Sequence, residues 1–207
     1  MPTDAPLNDW NAAWIWTAEA GPANTWLCAR TIWELPVVPT ETVVRIAADS
    51  KYWLWVNGRV VVREGALKRG PTPDDTWCDE VDLTPHLHAG ANTVAVLVWY
   101  WGKHGFSHKD SGHGGLLVQG PHGLHSGAHW KVRVHPAFGV TGLPHPNYRL
   151  PEHNVRFDAR LDDDAWIGPG YDDRAWSAAT EHGRAPCAPW GRLFPRPIPH
   201  WRDSEPR

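Results

Sequence analysis

The chain has 207 residues, of which 42% are hydrophobic and 21% are charged, and its formal net charge is -3. This balance lacks the clustered Lys and Arg that binding to phosphates needs, so nucleic acid is excluded as an expected partner. No run approaches the roughly 18 apolar residues of a membrane helix, so no membrane partner is expected either. The first twenty residues lack an apolar stretch behind basic residues, so no signal peptide is predicted. We therefore expect a cytoplasmic protein, or an extracellular one if the chain is a fragment.

The chain is unusually rich in Trp (15), Pro (20) and Gly (19). Because Pro and Gly interrupt regular structure, this composition predicts many short strands joined by turns. The three cysteines, Cys28, Cys78 and Cys187, are odd in number and far apart, which favours free thiols over disulfides or a zinc site. We expect no cofactor, although a structural calcium ion held by turn carboxylates and carbonyls stays open.

In chain order, the apolar residues recur with period two, which is typical of β-strands. Nine strands are predicted, at residues 14–16, 26–35, 43–48, 52–56, 60–63, 77–83, 93–101, 116–119 and 129–135. Asn57-Gly58 separates the fourth strand from the fifth and predicts a tight hairpin, because a type I′ turn needs positive φ at both positions. The segment 93–101 is apolar on both faces and is therefore placed centrally in a sheet. The fold class is all-β, an antiparallel β-sandwich.

The composition changes after about Phe138. We predict a sandwich domain over residues 10–137. Residues 138–207 begin with a Pro-rich linker and continue as an irregular C-terminal extension, either a partial second β module or a segment that packs on the first domain.

Four segments, at residues 14–16, 48–58, 79–84 and 90–96, resemble in order and spacing the N-terminal galactose-binding-like (jelly-roll) region of bacterial α-L-rhamnosidases. The resemblance covers about residues 10–136, and a weaker version continues through 157–160, 171–176 and 195–199. The hairpin pattern with a following Gly-x-Asn turn also recurs in jelly-roll domains of β-galactosidases and β-mannosidases, so it specifies the fold better than the sugar.

The resemblance also implies a function. In these glycoside hydrolases an acid and a base perform inverting hydrolysis in a downstream (α/α) barrel, and no segment of this chain matches that barrel. The resemblance therefore implies a non-catalytic, carbohydrate-associated accessory domain that binds rhamnose or a related sugar, or that braces a catalytic domain or subunit. Such a chain is either a fragment of a larger glycosidase or a gene product that kept only the accessory region.

A sugar site is predicted where the segment 93–101 runs into a polar, Gly-rich loop. Trp99 and Trp101 share one face of the strand, and an aromatic face beside polar groups suits a pyranose. His104, His108 and Asp110 in the loop are the candidate partners of sugar hydroxyls. The alternative is that both Trp rings belong to the core.

Two further functions are kept open. The first is a free-standing lectin-like protein, perhaps a homo-oligomer, with its sugar site at the same loop. The second is a small metal-dependent enzyme that uses His104, His108, Asp110 and His113, since imidazole and carboxylate are common metal ligands. Acidic pairs such as Asp79-Glu80 predict no glycosidase site, because neighbouring side chains on a strand point to opposite faces.

Overall fold

The computed structural model describes residues 5–66, 70–106, 108–141, 150 and 152–201. All nine predicted strands are present: β1 (Ala13–Trp16), β2 (Thr25–Leu35), β3 (Val43–Asp49), β4 (Lys51–Val56), β5 (Arg59–Gly65), β6 (Thr76–Asp82), β7 (Gly90–Tyr100), β8 (Gly115–Gln119) and β9 (Lys131–Val134). Five more follow: β10 (Phe138–Val140), β11 (Val155–Phe157), β12 (Ser177–Ala178), β13 (Thr180–Arg184) and β14 (Leu193–Pro195). The helical residues in the described ranges form short 3₁₀ turns at Thr84–His86, Ala159–Leu161 and Asp164–Ile167. No helix in these ranges is long and apolar enough to cross a membrane.

The strands form two six-stranded sheets. The first sheet has the order β13-β1-β8-β3-β6-β14, and the second has the order β12-β9-β2-β7-β4-β5. Neighbouring strands are antiparallel except β14, which runs parallel to β6. Strands β10 and β11 form a separate ribbon. The predicted antiparallel β-sandwich is confirmed.

The hairpin at Asn57-Gly58 joins β4 to β5, with φ of 51° at Asn57 and 79° at Gly58. The Asn57 side chain also forms hydrogen bonds outside the turn. Its amide donates to the His86 carbonyl and to Asn92 Oδ1. Its Oδ1 accepts a hydrogen bond from the Thr93 N–H at 2.9 Å. One residue therefore shapes the turn and ties it to the start of β7.

The surroundings of β7 explain why this segment is apolar on both faces. Val94, Val96 and Val98 point into the core between the two sheets. Leu97 and Trp99 point the other way, into a second apolar layer on the outer face of the same sheet. Because both faces are covered, every residue of the strand from Asn92 to Tyr100 is buried, not only alternate ones.

The two outer layers are closed by residues from the C-terminal part of the chain. On the second sheet, Trp166 and Trp176 pack over the outward residues of β2 and β7. On the first sheet, Trp190 stacks on Trp14 with ring centroids 4.4 Å apart. Gly115 makes room for this stack, since a Cβ there would lie 2.7 Å from the Trp190 ring. The Trp-rich composition thus fills three apolar layers instead of one.

The C-terminal segment is bonded to the sandwich as well as packed on it. Strands β12 and β13 extend the two sheets at β9 and β1, and β14 adds an edge next to β6. A buried ion pair joins Arg196 to Asp79, and a partly buried one joins Arg30 to Asp173. Of the predicted linker, Phe138–Val140 forms β10, while residues 142–149 and 151 lie outside the described residues. The proposed boundary at 137/138 stays a prediction.

Candidate functional site

The candidate site is the end of β7, where the chain leaves the second sheet at Trp101 and enters the loop 102–114. The start of β4 lies beside it, because Lys51 is the partner of Trp99 in the antiparallel register. The Ser50 N–H donates to the Trp99 carbonyl at 3.1 Å, and the Trp101 N–H donates to Ser50 Oγ at 3.2 Å. All five predicted site residues lie on β7 or on the loop that follows it.

Trp99 and Trp101 are both buried, at 8% and 1% exposure. Their rings meet edge to face at a centroid distance of 6.1 Å, and the Trp99 indole N–H donates to Asn24 Oδ1 at 2.8 Å. Stacking on a pyranose needs an exposed ring face, and neither ring has one in this conformation. The two residues are part of the outer apolar layer, in line with the alternative that both rings belong to the core. Their role in sugar binding stays a prediction.

Lys51 was not predicted as a site residue, yet it lies at the start of β4, directly beside Trp99 on β7. Its ammonium lies 5.9 Å from the Trp99 ring centroid and 5.6 Å from that of Trp101, a cation–π arrangement. Glu64 on β5 and Glu152 flank it at 3.6 and 3.5 Å. The residue is therefore surrounded by aromatic faces and carboxylates from three other segments.

The loop after β7 is held by its own polar residues. His108 is buried, with its ring 4.7 Å from that of Trp101. The Tyr100 hydroxyl donates to Asp110 Oδ1 at 3.1 Å, and the Asp110 N–H donates to His104 Nδ1 at 3.1 Å. Burial, reinforced by the Asp110 carboxylate, raises the pKa of Tyr100, which keeps the hydroxyl protonated as a donor. His104 is exposed and Asp110 is partly exposed, so these two predicted residues reach the surface.

A second segment meets the loop at Leu150 and His153. His153 Nε2 lies 2.9 Å from the Trp101 carbonyl, and Lys103 donates to the Leu150 carbonyl at 2.8 Å. Burial lowers the pKa of His153 and favours the neutral imidazole, which donates to that carbonyl. Imidazole, carboxylate and ammonium groups thus border one surface, and such groups hydrogen-bond sugar hydroxyls.

The metal hypothesis required His104, His108, Asp110 and His113 to converge. His113 instead packs against His182 at a centroid distance of 4.2 Å and against Trp190 at 5.5 Å. Burial lowers the pKa of His113, and the neighbouring His182 lowers it further. No group of three or more His, Cys, Asp or Glu side chains that could hold a metal ion occurs in the described ranges.

Two of the buried acidic side chains, Asp75 and Asp79, serve as ion-pair partners. Asp79 accepts hydrogen bonds from Arg196, from the Tyr52 hydroxyl and from the Ala66 N–H. Asp75 forms a two-point contact with Arg192, which lowers the pKa of that carboxyl. Glu80 lies on the opposite face of β6 from Asp79 and is exposed, as strand geometry predicts.

Lys51, Glu64, Glu152 and His153 were missed from the sequence. Nothing in their local pattern marks them, because they meet only after β4 pairs with β7 and the segment beyond residue 150 folds back on the loop. The pairing of β4 with β5 had a signal in Asn57-Gly58, whereas its pairing with β7 had none.

No protein-family model matches the chain. An α-L-rhamnosidase of Streptomyces avermitilis is 27% identical over 208 residues, which cover 93% of this chain and 16% of that protein. Among solved structures, a GH78 family rhamnosidase of Bacillus sp. GL1 superposes with a TM-score of 0.81 and 32% identity, over 94% of this chain and 20% of that one.

A lectin of Pleurotus ostreatus shares the fold, with a TM-score of 0.57 and 20% identity over 92% of this chain and 48% of that one. At that identity the likeness concerns the fold alone. The chain spans only 16 to 22% of the length of these rhamnosidases and of the others it matches. The resemblance drawn from the sequence motifs is confirmed: over more than nine-tenths of its length the chain is similar to one region of α-L-rhamnosidases.

Proposed function

We propose that the chain is a non-catalytic, carbohydrate-associated accessory region of an α-L-rhamnosidase-like glycoside hydrolase. The observation that carries this proposal is the superposition on the Bacillus sp. GL1 rhamnosidase, which includes 94% of this chain but 20% of that enzyme. The larger part of that enzyme has no counterpart here, so the proposed partner is a catalytic domain or subunit.

The carboxylates support a role without catalysis. Glycoside hydrolysis needs two carboxyl groups that face each other across the substrate, roughly 5 to 9.5 Å apart. The buried Asp75 and Asp79 are paired with Arg192 and Arg196, and Asp173 is paired with Arg30. A carboxylate held by a guanidinium is a poor general acid, because the cation favours its ionised form.

Sugar contact is proposed at the end of β7. His104 and Asp110 are the predicted residues that reach the surface there, and Lys103 and Glu152 add charge beside them. We propose L-rhamnose or a related neutral sugar as the ligand. The buried rings of Trp99 and Trp101 lie directly beneath this surface and would report on binding through their fluorescence.

The first experiment titrates L-rhamnose and galactose up to millimolar concentrations while Trp fluorescence is followed. We expect a saturable change that the His104→Ala and Asp110→Asn variants weaken. His88→Ala is the matched control, since His88 is also exposed but lies before the opposite end of β7. No response to either sugar would contradict sugar binding and leave the bracing role.

The second experiment tests the partner. The chain is expected to release no 4-nitrophenol from 4-nitrophenyl α-L-rhamnopyranoside by itself. Fused to the remaining region of the Bacillus sp. GL1 rhamnosidase in place of the matching segment, it is expected to restore soluble, active enzyme. Sugar binding combined with self-association and no restoration would favour the lectin-like alternative, and light scattering would reveal the oligomer.

A further inference from the structure

A pocket of about 320 Å³ lies at one corner of the sandwich, away from the residues of the β7 end. The chain crosses from the second sheet to the first here, because β12 pairs with β9 and β13 pairs with β1. The pocket is lined by Thr17, Val132, Arg133, Trp176, Ser177 and Thr180, among others. Its volume is at the lower end of the range of about 300 to 1,000 Å³ for small-molecule sites.

Arg133 is the charged residue among those that line this pocket, and its contacts within the described part of the chain are with neutral groups. Its guanidinium lies 4.6 Å above the Trp176 ring centroid, and Nη1 donates to the Tyr171 hydroxyl at 3.3 Å. It also lies beside the buried Cys28, whose pKa is raised mainly by burial, which keeps this thiol uncharged. Within the described ranges no carboxylate oxygen lies at ion-pair distance from Arg133, in contrast to the pairs of Arg30 with Asp173 and of Arg196 with Asp79.

A neighbouring cation adds to the excess of positive charge around Arg133. Lys131, two residues earlier on β9, donates to the Trp176 carbonyl at 3.5 Å and adds a second cation. Asp162 Oδ1 lies 3.3 Å from His135 Nε2, and this carboxylate is not at ion-pair distance from Arg133. A half-buried guanidinium without a counter-ion has lost hydration that only an anion would replace in full. The planar, two-pronged guanidinium matches a carboxylate in shape as well as in charge.

The remaining walls suit a sugar ring. Thr17, Ser177 and Thr180 contribute hydroxyl groups, which both donate to and accept from sugar hydroxyls. Thr17 Oγ1 already donates to the Glu19 carbonyl at 3.0 Å, so it remains available as an acceptor. The apolar surface for the C–H face of a pyranose comes from Val134, which is 53% exposed, and from the exposed Ala18.

We propose that this corner pocket binds a uronic acid residue of an acidic glycan, with its carboxylate on Arg133 and its hydroxyls on Thr17, Ser177 and Thr180. The choice of a sugar as the carrier of the carboxylate rests on the proposed carbohydrate function. The recognition of an anion by Arg133 does not depend on that proposed function.

The test is calorimetric titration of the protein with D-glucuronate, D-glucose and inorganic phosphate at one ionic strength. Because a hydrogen-bonded charge pair distinguishes the acid from the neutral sugar, glucuronate is expected to bind about tenfold or more tightly than glucose. Arg133→Met is expected to remove this preference, and added NaCl is expected to weaken glucuronate binding. Arg174→Met is the matched control, since Arg174 is exposed and already paired with Asp172.

Each outcome bears on one proposal. Equal binding of glucuronate and glucose, or no binding of glucuronate to a protein whose circular dichroism shows that it is folded, would overturn the inference. Phosphate binding as tight as that of glucuronate would overturn its sugar part. Binding of L-rhamnose that His104→Ala weakens, without any Arg133-dependent binding of glucuronate, would leave the proposed function intact. Arg133-dependent binding of glucuronate, without rhamnose binding or restored rhamnosidase activity, would uphold the pocket and contradict the proposed function.

Discussion

Removal of the Arg196 guanidinium should destabilise the whole protein, because it is a buried link between the C-terminal segment and the sandwich. Arg196 and Asp79 are 4% and 1% exposed in their side chains, and they form a direct ion pair. Taking away one partner of a buried pair costs about 3 to 5 kcal/mol, since the remaining charge is left without compensation. Asp79 keeps two donors, the Tyr52 hydroxyl at 2.6 Å and the Ala66 N–H at 3.1 Å. We therefore expect Arg196→Met to cost about 3 kcal/mol, the lower end of that range.

The assay is urea unfolding followed by Trp fluorescence and circular dichroism. The double variant Asp79→Asn with Arg196→Met removes both charges, so its loss should be smaller than the sum of the two single losses by about 1 kcal/mol or more. Arg174→Met, in an exposed pair with Asp172, is the control and should leave the unfolding midpoint unchanged. If Arg196→Met and Arg174→Met shift the midpoint equally, or if the two single losses simply add, the reasoning is refuted.

Three further predictions concern the same unfolding measurement. Trp190→Ala should lower the free energy of unfolding by about 3 to 5 kcal/mol, because the fully buried ring stacks on Trp14. Trp201 is 69% exposed, so Trp201→Ala should leave the free energy of unfolding unchanged. Similar effects of the two substitutions would argue against the outer layer. Asn57→Ala should cost about 2 kcal/mol through the lost bonds to His86, Asn92 and Thr93, and an effect no larger than that of the exposed Asn11→Ala would contradict it. Burial lowers the pKa of five histidines, at positions 113, 129, 135, 153 and 200, in the folded state. The unfolded chain therefore binds more protons below about pH 6.5, and the free energy of unfolding should fall from pH 7 to pH 5; a rise over that interval would count against it.

Much of the architecture could be predicted from local pattern. Period-two alternation locates the nine strands of the sandwich, and Asn57-Gly58 fixes one hairpin, because positive φ is a property of single residues and needs no partner. The segment 93–101 predicts a central strand from its two apolar faces, and β7 lies between β2 and β4 in the second sheet. Such signals are local, so they can be recognised in the sequence without knowledge of the fold.

The site depended on contacts between distant segments. The sequence places Trp99, Trp101, His104, His108 and Asp110 around one strand end, and the backbone indeed groups them there. It does not separate the buried rings from the exposed His104, because exposure depends on what covers the sheet. Trp99, for example, is covered by Trp26, which stacks on it from more than seventy residues earlier in the chain.

The sequence by itself determined the strands, the central hairpin and the likeness to one region of α-L-rhamnosidases. The tertiary structure alone decided that residues 152–201 close both outer faces of the sandwich, that Lys51 joins Glu152 beside the aromatic rings, and that Arg133 lines a pocket without a carboxylate partner in the described ranges. The physical reason is the same in each case. Burial and charge pairing are properties of groups brought together in space, and strand periodicity does not encode which distant segment covers a given face.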